Sequence, residues 1–333
     1  MDPRQNNLPK EFILSRLHSL TGLLIVIFLF EHLLTNSQAA LFFGDDGVGF
    51  VRMVNFIHDL PYLQVVEITF IGVPILYHAV IGIQKAIYGR SNAFGSKESY
   101  KPHLPYNRSR AYTFQRWTAW ILLIGIILHV ANFRFYLYPA EAKEGNKRLF
   151  FTRVYFDKGL YSLQDRLGFS ILNEEAIVEY KSQLDREMSQ EALVDQRLKE
   201  IEGDQKTYNL EALELGKQKG RLTEMQDYYA GLTHRKIEAD QVILVTDSFG
   251  TSQLMNVRDV FKSPIKAILY TIFVLAAVFH GFNGLWAFTI TWGLVVKQVS
   301  QRRMLKVCVG LMFLLGFMGL SAVWGTYWIN LRS

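Results

Sequence analysis

The stretch Phe279–Gly293, FHGFNGLWAFTITWG, places a histidine, His280, in the middle of a long apolar segment. If the segment is helical, four small residues lie beside His280 on one face, at i−4, i−3, i+4 and i+7: Ala276, Ala277, Gly284 and Ala287. Small residues on a membrane helix let a neighbouring helix approach closely, and around one imidazole they also leave room for a flat macrocycle. A buried histidine bonded to a neighbouring helix is the plainer interpretation, so the macrocycle hypothesis requires partners for His280.

Half of the 333 residues are hydrophobic, and several apolar runs approach the ~20 residues that cross about 30 Å of hydrocarbon. The composition predicts an integral membrane protein, and continuous apolar runs predict helices instead of the short alternating strands of a barrel. We reject a signal peptide for the first run because Glu31 and His32 interrupt its outer end. Five spans are predicted: Leu14–Asn36, Leu63–Ile87, Trp117–Leu137, Pro264–Val296 and Met304–Trp328.

The loops predict the orientation, because short cytoplasmic loops of membrane proteins carry an excess of Lys and Arg. Basic residues cluster before span one, between spans two and three, and between spans four and five: Arg4, Lys10, Arg16, Lys85, Arg90, Lys97, Lys101, Arg108, Arg110, Arg116, Lys297, Arg302, Arg303 and Lys306. The loop between spans one and two is acidic, with Asp45, Asp46 and Asp59. The sequence thus predicts a cytoplasmic N-terminus and an outer C-terminus. The net charge of +6 follows from this topology and does not indicate nucleic acid.

A shift in composition between spans three and four indicates a soluble insertion on the outer side of the membrane. We predict three regions: residues 1–139 with spans one to three, the extracytoplasmic insertion 140–262, and residues 263–333 with spans four and five. The insertion contains no metal spacing, nucleophile motif or phosphate loop in its sequence. Three histidines in loops or in the insertion are interpreted as solvated: His58, His103 and His234.

The insertion is predicted to have an α+β fold. Leu149–Phe156 and Gln241–Thr246 are typical of strands, because they are short, rich in β-branched and aromatic residues, and followed by turn residues. The stretch Glu174–Leu232 is rich in Glu, Lys, Gln and Leu, which predicts helices, interrupted near Gly203 and Gly216. The predicted fold class is therefore an all-α bundle of five transmembrane helices carrying a soluble α+β insertion.

Four of the five predicted spans carry a histidine within or at the edge of the apolar region: His32, His78, His129 and His280. Ionisable residues at such depth are costly and indicate function, and their depths can be compared at about 1.5 Å per residue. His32 and His129 lie about 6 to 8 Å inside the outer end of their spans. His280 lies about 21 Å deep, and His78 lies between about 16 and 24 Å. The depths therefore form two pairs, one shallow and one deep.

Histidine is a standard axial ligand of haem iron, so two pairs at two depths predict two b-type haems, an outer haem and an inner haem. Gly82, at i+4 from His78, and Gly125, at i−4 from His129, support this hypothesis. Cys308 is the only cysteine, which excludes a covalent CxxCH attachment and a four-cysteine cluster within the chain. A proton relay in a transporter is the alternative, but it would favour interleaved carboxylates and staggered depths.

The spans resemble a known family in six motifs: RLHSLTG (16–22), FLFEHLLTN (28–36), LPYLQVVE (60–67), LYHAVIG (76–82), ILLIGIILHV (121–130) and FHGFNGLWAFTITWG (279–293). These motifs are similar to those of the five-helix, di-haem cytochrome b subunit of succinate dehydrogenase and fumarate reductase complexes. The resemblance covers the five spans and implies the same ligand pairs, His78 with His280 and His32 with His129. It does not cover the insertion.

The resemblance implies a membrane anchor in a bacterial inner membrane, with a flavoprotein subunit carrying FAD and an iron-sulfur subunit docked on its cytoplasmic face. The chain would not bind the dicarboxylate. It would pass electrons between the iron-sulfur clusters, the two haems and a quinone, either menaquinone or ubiquinone. Two alternatives remain: the cytochrome b subunit of a hydrogenase or formate dehydrogenase, whose catalytic partner lies outside, and a non-redox transporter or proton channel.

Residues at the inner end of the bundle are candidates to meet the propionates of the inner haem: Arg16, His18 and Lys85. His18 precedes His32 by fourteen residues, close to four helical turns, so it is expected to face the bundle near the cytoplasm. Lys85 lies about two turns inward of His78. A plain interfacial anchor is the alternative role for each of the three.

A quinone site is predicted near the outer haem. Glu67 lies eleven residues before His78, and eleven residues bring an α-helix almost back to the same face. Glu31, adjacent to His32, adds a second carboxylate at the same level, and Asn36 is a possible hydrogen-bond partner. A quinone exchanges protons as well as electrons, and a buried carboxylate can supply or accept them. Helix capping or contact with interfacial water is the alternative role for both carboxylates.

Overall fold

The computed structural model describes residues 9–42, 44–88, 107–202 and 210–332. Several of the predicted features concern residues outside these ranges: Arg4, Arg90, Lys97, Lys101, His103 and Gly203, together with the side chain of Arg108. Five helices are long and apolar enough to cross a membrane: Lys10–Ser37, Leu63–Tyr88, Arg110–Tyr136, Pro264–Thr291 and Gln298–Asn330. The prediction of five helical spans is confirmed, and the chain is a multi-pass membrane protein. We call these helices spans one to five.

The described chain divides into two compact units, and the first contains the bulk of all five spans: Met1–Phe50, Phe56–Asn132 and Ser263–Ile329. Span four is its central helix, because it packs against spans one, three and five. Span one packs in turn against spans two, four and five. The buried core contains Val26 and Leu33 of span one, Val278 and Phe282 of span four, and Leu315 of span five. The apolar residues of three spans thus hold the bundle together.

Span four ends earlier than the sequence predicts. It was expected to reach Val296 but ends at Thr291. Gly293 has a φ of +70°, in the left-handed region that glycine adopts without steric penalty, and the amide of Leu294 returns to the carbonyl of Thr289 at 2.9 Å. This is the usual geometry of a helix C-terminus, and hydrophobicity alone does not reveal it because Leu294 and Val295 continue the apolar run.

Spans two, three and five each contain one segment of π-helix: Ile68–Gly72, Ala131–Tyr136 and Ser321–Gly325. A π-helical hydrogen bond joins residues i and i+5, so each segment contains about one residue more per turn than the α-helix around it. The faces on its two sides are consequently rotated by about 100° relative to α-helical expectation. Apolar composition does not distinguish π from α, so these segments were not predicted.

A further helix, α1, lies between spans one and two at Val48–His58 and was not predicted. The carboxylate of Asp45 accepts a hydrogen bond from the Val48 amide at 2.8 Å, as an N-terminal capping residue does. Phe50 is buried. His58 is the last residue of α1 and is half-buried, so its interpretation as a solvated loop residue was wrong. The acidic residues near Asp45 hid the helix because they are also typical of loops.

The second unit comprises Val51–Asn55, Phe133–Lys262 and Asn330–Ser333. Its described residues form four strands: β1 (Ala140–Glu144), β2 (Lys147–Tyr155), β3 (Phe169–Leu172) and β4 (Gln241–Thr246). They pair into an antiparallel sheet with the spatial order β1-β2-β4-β3. The two predicted strands correspond to β2 and β4. Strands β1 and β3 were not predicted, because β1 reads AEAKE, with no β-branched or aromatic residue, and β3 has only four residues.

The described residues of the long connection in the second unit also form five helices: α2 (Gly159–Leu167), α3 (Glu174–Met188), α4 (Glu191–Glu202), α5 (Leu210–Thr233) and α6 (Phe249–Val260). Helix α5 packs on the sheet and against α3 and α4, and its Leu232 joins Phe151 and Ile243 in the core. The predicted break at Gly216 is wrong, since Gly216 lies inside α5. Glycine costs an exposed helix only about 1 kcal/mol relative to alanine, so it weakens a helix without ending it.

Distant parts of the chain meet inside the second unit. Asn55 accepts a hydrogen bond from the amide of Gly250 at 2.6 Å and donates one to the hydroxyl of Ser248 at 3.0 Å. Asn330 donates to the carbonyl oxygen of Arg258 at 2.7 Å. The unit therefore needs residues from the loop after span one and from the end of span five in addition to the long connection between spans three and four.

Candidate functional site

The structure brings the four membrane histidines together in two pairs. The ring centroids of His32 and His129 are 5.8 Å apart, and those of His78 and His280 are 6.2 Å apart. Each pair joins two different spans. His18 stacks on His78 with ring centroids 4.0 Å apart, and fourteen residues of span one separate His18 from His32. The two pairs therefore lie about 21 Å apart along span one.

The Nδ1 atoms of the deep pair have defined partners. His78 Nδ1 lies 3.0 Å from the carbonyl oxygen of His18, which can only accept. His280 Nδ1 lies 3.2 Å from the hydroxyl oxygen of Thr118. That hydroxyl donates to the carbonyls of Phe114 and Gln115 at 2.8 and 3.1 Å, so it accepts from the imidazole. Both Nδ1 atoms therefore carry the proton, and Nε2 keeps the lone pair that a metal requires.

In the shallow pair, the Nδ1 atom of His129 lies 3.2 Å from the hydroxyl of Tyr270. A phenol both donates and accepts, so this contact orients the ring without fixing its tautomer. The ring of His32 lies against His129 and against Phe28, whose centroid is 5.3 Å away. A metal-binding histidine is usually held in this way, by a second residue at its other nitrogen and by packing of its ring.

Each histidine pair offers two imidazole nitrogens as metal ligands. Among the residues that the structure describes, no group of three or more His, Cys, Asp or Glu side chains converges as a metal site. A bare ion that needs four protein ligands is therefore not held by either pair. With metal–nitrogen bonds of about 2 Å, ring centroids 5.8 and 6.2 Å apart would allow both imidazoles of a pair to bind one metal between them. Each pair would fit a metal-containing group that needs two histidine ligands from the protein and brings its remaining ligands itself.

Glycines beside the histidines keep space around the rings. A Cβ atom on Gly22 would lie 3.0 Å from Cε1 of His78, and one on Gly82 would lie 3.8 Å from Cε1 of His18. Gly125, expected to clear space beside His129, instead receives the ring of Phe273, since a Cβ there would lie 2.4 Å from that ring. Gly125 therefore allows close packing near the shallow pair, whereas Gly22 and Gly82 leave space for histidine rings near the deep pair.

Polar residues that the sequence reasoning missed surround His280. Gln115 donates to the carbonyl oxygen of His280 at 3.0 Å and accepts from Asn283 at 2.9 Å. With Thr118, they form a polar cluster between spans three and four. One signal could have revealed Thr118 and Asn283, because polar side chains inside a predicted span are costly and indicate a role.

The three propionate candidates have different surroundings. His18 stacks on His78 and is half-buried. Lys85 is exposed and lies seven residues, about two turns, after His78 on span two. The guanidinium carbon of Arg16 lies 4.9 Å from the ring centre of Phe12 and 5.3 Å from that of Trp292. Two of the candidates are therefore close to the deep pair, while Arg16 is held by aromatic rings.

The three quinone candidates are also placed differently from one another. Glu31 accepts a hydrogen bond from Thr35 at 2.9 Å, and Asn36 donates to the carbonyl of His32 at 2.8 Å, so both side chains bond to their own helix. Glu67 immediately precedes the first π-helical segment.

Glu67 and His78 are not related by α-helical periodicity in this structure, contrary to the sequence-based expectation. The π-helical segment Ile68–Gly72 separates Glu67 from His78, and it rotates the expected position of Glu67 by about 100°. Glu67 is nevertheless half-buried between Val66 and Ile68, which are exposed. Its orientation toward the bundle therefore depends on the π segment and not on α-helical periodicity.

Tyr180 of the second unit has a structural role. Burial, together with nearby Tyr228 and Glu144, raises the pKa of Tyr180 to about 12. Its hydroxyl lies 3.5 Å from the carbonyl of Met225. Tyr180 is thus neutral at ordinary pH and packs ring to ring with Tyr228 at 4.8 Å. His234 is exposed in the structure.

Comparison with known proteins gives one significant similarity. The chain is 22% identical over 315 residues to the succinate dehydrogenase cytochrome b558 subunit of Bacillus subtilis (strain 168), an alignment covering 94% of this chain and 96% of that protein. No family model matches the chain, and no solved structure matches it significantly. The similarity extends over most of both chains, at an identity that supports a family relationship only weakly.

Proposed function

We propose that this chain is the membrane-anchor cytochrome b subunit of a succinate:quinone oxidoreductase, a succinate dehydrogenase or fumarate reductase. It carries electrons between an iron-sulfur subunit and a membrane quinone, either menaquinone or ubiquinone, through two b haems. The observation that carries the proposal is the meeting of four histidines from four spans as two imidazole pairs. The name and the coverage of the Bacillus subtilis relative support it.

In this proposal His32 and His129 hold the outer haem, and His78 and His280 hold the inner one. A haem held by each pair would supply one-electron transfer. The protein orients the imidazoles: the carbonyl of His18 and the hydroxyl of Thr118 hold the Nδ1 protons of the deep pair. His18, Lys85 and Arg16 supply positive charge or hydrogen-bond donors to the propionates of the inner haem.

A reduced-minus-oxidised spectrum of the purified chain, with haem and protein quantified on the same sample, tests the proposal. We expect a b-type band and two haems per chain. A colourless protein would instead favour the non-redox transporter or proton channel, and one haem per chain would contradict the two pairs.

We place the flavoprotein subunit with its FAD and the iron-sulfur subunit on the cytoplasmic face of a bacterial inner membrane. The support is the excess of Lys and Arg before span one and between spans four and five. The second unit lies on the outer side in this orientation. Affinity purification of the intact complex tests the arrangement, with both subunits expected to co-purify. Recovery of a hydrogenase or formate dehydrogenase subunit would assign the chain to that alternative.

Thr118 is expected to lower the midpoint potential of the inner haem, because accepting a hydrogen bond from His280 Nδ1 makes the imidazole a stronger electron donor to iron. Thr118→Val keeps the shape and removes the acceptor. The potential should rise by a few tens of millivolts, since a hydrogen bond of about 1 kcal/mol corresponds to about 40 mV for one electron. Redox titration of the haem spectrum measures this.

Thr289→Val is the matched control, because Thr289 lies in the same span four as His280 and its hydroxyl bonds only to the Trp286 carbonyl at 2.8 Å in the described contacts. It should leave both potentials unchanged. An unchanged inner-haem potential in Thr118→Val would show that the hydroxyl does not hold His280.

Glu67 is proposed as the proton donor or acceptor of a quinone near the outer haem, with Glu31 and Asn36 at the same level. Glu67→Gln keeps the size of the side chain and removes its acid–base function. Succinate-to-quinone turnover by the complex should fall by about 100-fold or more, because a positioned proton-transfer group typically contributes about 10²- to 10⁴-fold. Haem content and electron transfer from succinate to an artificial dye should be normal.

The control for this measurement is Glu175→Gln, on an exposed position of α3. Wild-type quinone turnover in Glu67→Gln would exclude Glu67 from the site. Loss of dye reduction as well would locate the defect in assembly of the complex.

A further inference from the structure

A basic groove of about 420 Å³ lies within the second unit, next to the C-terminal end of span three. Its charged lining comes from Arg134, Glu141, His234 and Arg235, with Tyr138 among the aromatic residues. Glu141 is the single carboxylate among the described residues that line it. Neither the proposed electron transfer nor the proposed quinone site uses this groove.

The two guanidinium groups of the groove are held in place. Arg235 donates to the carbonyl oxygens of Phe135, at 2.8 Å, and of Tyr136, and its guanidinium carbon lies 4.9 Å from the Tyr136 ring centre. Arg134 lies 4.9 Å from the ring centre of Tyr138. Stacking and carbonyl contacts restrict both side chains before any ligand arrives, which reduces the entropy lost on binding.

A third guanidinium group, that of Arg153, contacts the backbone of the segment that carries His234 and Arg235. Arg153 donates to the carbonyl oxygens of Leu232 and Arg235 at 2.9 and 2.6 Å. Its Nε is buried without a hydrogen-bond partner among the described residues. Burial and the nearby charge of Arg235 hold the pKa of Arg153 below its usual value, so the two cations repel each other. An anion in the groove would relieve this repulsion.

The position of the groove indicates the source of the anion. Phe135 and Tyr136 are 70% and 58% exposed and belong to the last turn of span three. Exposed aromatic residues at the end of a membrane span lie at the level of the lipid headgroups. The guanidinium groups of Arg134 and Arg235 are therefore at the depth of lipid phosphates.

We infer that this groove binds the phosphate of an anionic phospholipid headgroup. Guanidinium groups match phosphate because their planar N–H donors form paired, charge-assisted hydrogen bonds. The lipid would join the end of span three to the loop at His234 and Arg235. The inference does not depend on haem or quinone, because all of its residues lie in the second unit.

Native mass spectrometry of the full-length chain in detergent tests the inference, with short-chain phosphatidylglycerol and phosphatidylcholine added separately. Phosphatidylglycerol should bind at least about tenfold more tightly, because the guanidinium groups repel the choline cation that phosphatidylcholine carries beside its phosphate. Arg235→Gln should weaken phosphatidylglycerol binding by about tenfold. Lys181→Gln, at an exposed basic position on α3, is the control and should leave it unchanged.

Arg235 also binds the last carbonyls of span three, so Arg134→Gln provides a second variant that leaves those bonds in place. Weakened phosphatidylglycerol binding in that variant supports the site. Equal affinity of the wild type for the two lipids overturns the inference. Displacement of phosphatidylglycerol by glycerol phosphate at similar concentration overturns it as well, since the site would then recognise a soluble phosphate.

Discussion

Replacing His280 with alanine is expected to leave one b-type haem per chain instead of two. His280 supplies one of two imidazoles at the deep pair, and a haem with one axial ligand is held far less tightly. The shallow pair, His32 and His129, lies about 21 Å away along span one and keeps both ligands. The haem-to-protein ratio of the purified variant measures the loss, and redox titration identifies which of the two potentials disappears.

His129→Ala is the complementary variant and should remove the other haem, so the two variants should retain haems of different potential. His234→Ala, at an exposed histidine of the second unit, is the control and should keep both haems. Two haems with wild-type spectra in His280→Ala would overturn the assignment of the deep pair. Loss of the same haem in both histidine variants would contradict the pairing.

Gly250→Ala is expected to destabilise the second unit by about 2 to 3 kcal/mol. A Cβ atom at Gly250 would lie 2.4 Å from the carbonyl oxygen of Val51 and 3.0 Å from Oδ1 of Asn55. The backbone of Val51 cannot move away like a flexible side chain, so the methyl group would also weaken the 2.6 Å bond between Asn55 and the Gly250 amide. Limited proteolysis should show a roughly 30- to 160-fold larger open population when opening is fast.

Gly216→Ala provides the matched control, because Gly216 lies in helix α5 with nothing within 4 Å of an added Cβ. Alanine favours a helix by up to about 1 kcal/mol over glycine, so this variant should resist proteolysis at least as well as the wild type. Wild-type protease resistance in Gly250→Ala would show that the loop after span one does not pack against α6 in solution.

The spans were predictable because a helix that crosses the hydrocarbon core must consist of about 20 mainly apolar residues. The number of spans and the start of span four at Pro264 follow from apolar length and from a proline that begins a helix. The end of span four does not, since a local turn at Gly293 interrupts an apolar run. In the second unit, β4 is buried and rich in Val and Ile, whereas the edge strand β1 has no such pattern.

Two properties of each site residue had to be predicted: its depth along the span and the direction of its side chain around the helix axis. Depth depends only on the rise per residue, so the positions of His78 and His280 along their spans are enough to pair them. The direction of a side chain around the helix axis changes with every irregularity in the helix between two residues. One π-helical segment between Glu67 and His78 was enough to make the predicted shared face wrong. Thr118 and Tyr270 were missed for a related reason, since one sequence does not show how two helices are rotated toward each other.

The three-part makeup of the second unit also sets an order of events during synthesis. Asn55 and Ser248 are hydrogen-bonded but separated by 193 positions, so at about 5 to 20 residues per second the ribosome makes the first about 10 to 40 s before the second. Asn330 follows its partner Arg258 only after two more spans have been made. The segment around Asn55 therefore lacks its partners until α6 has been made, and the α6 end of the unit is completed by Asn330 only after spans four and five have been made.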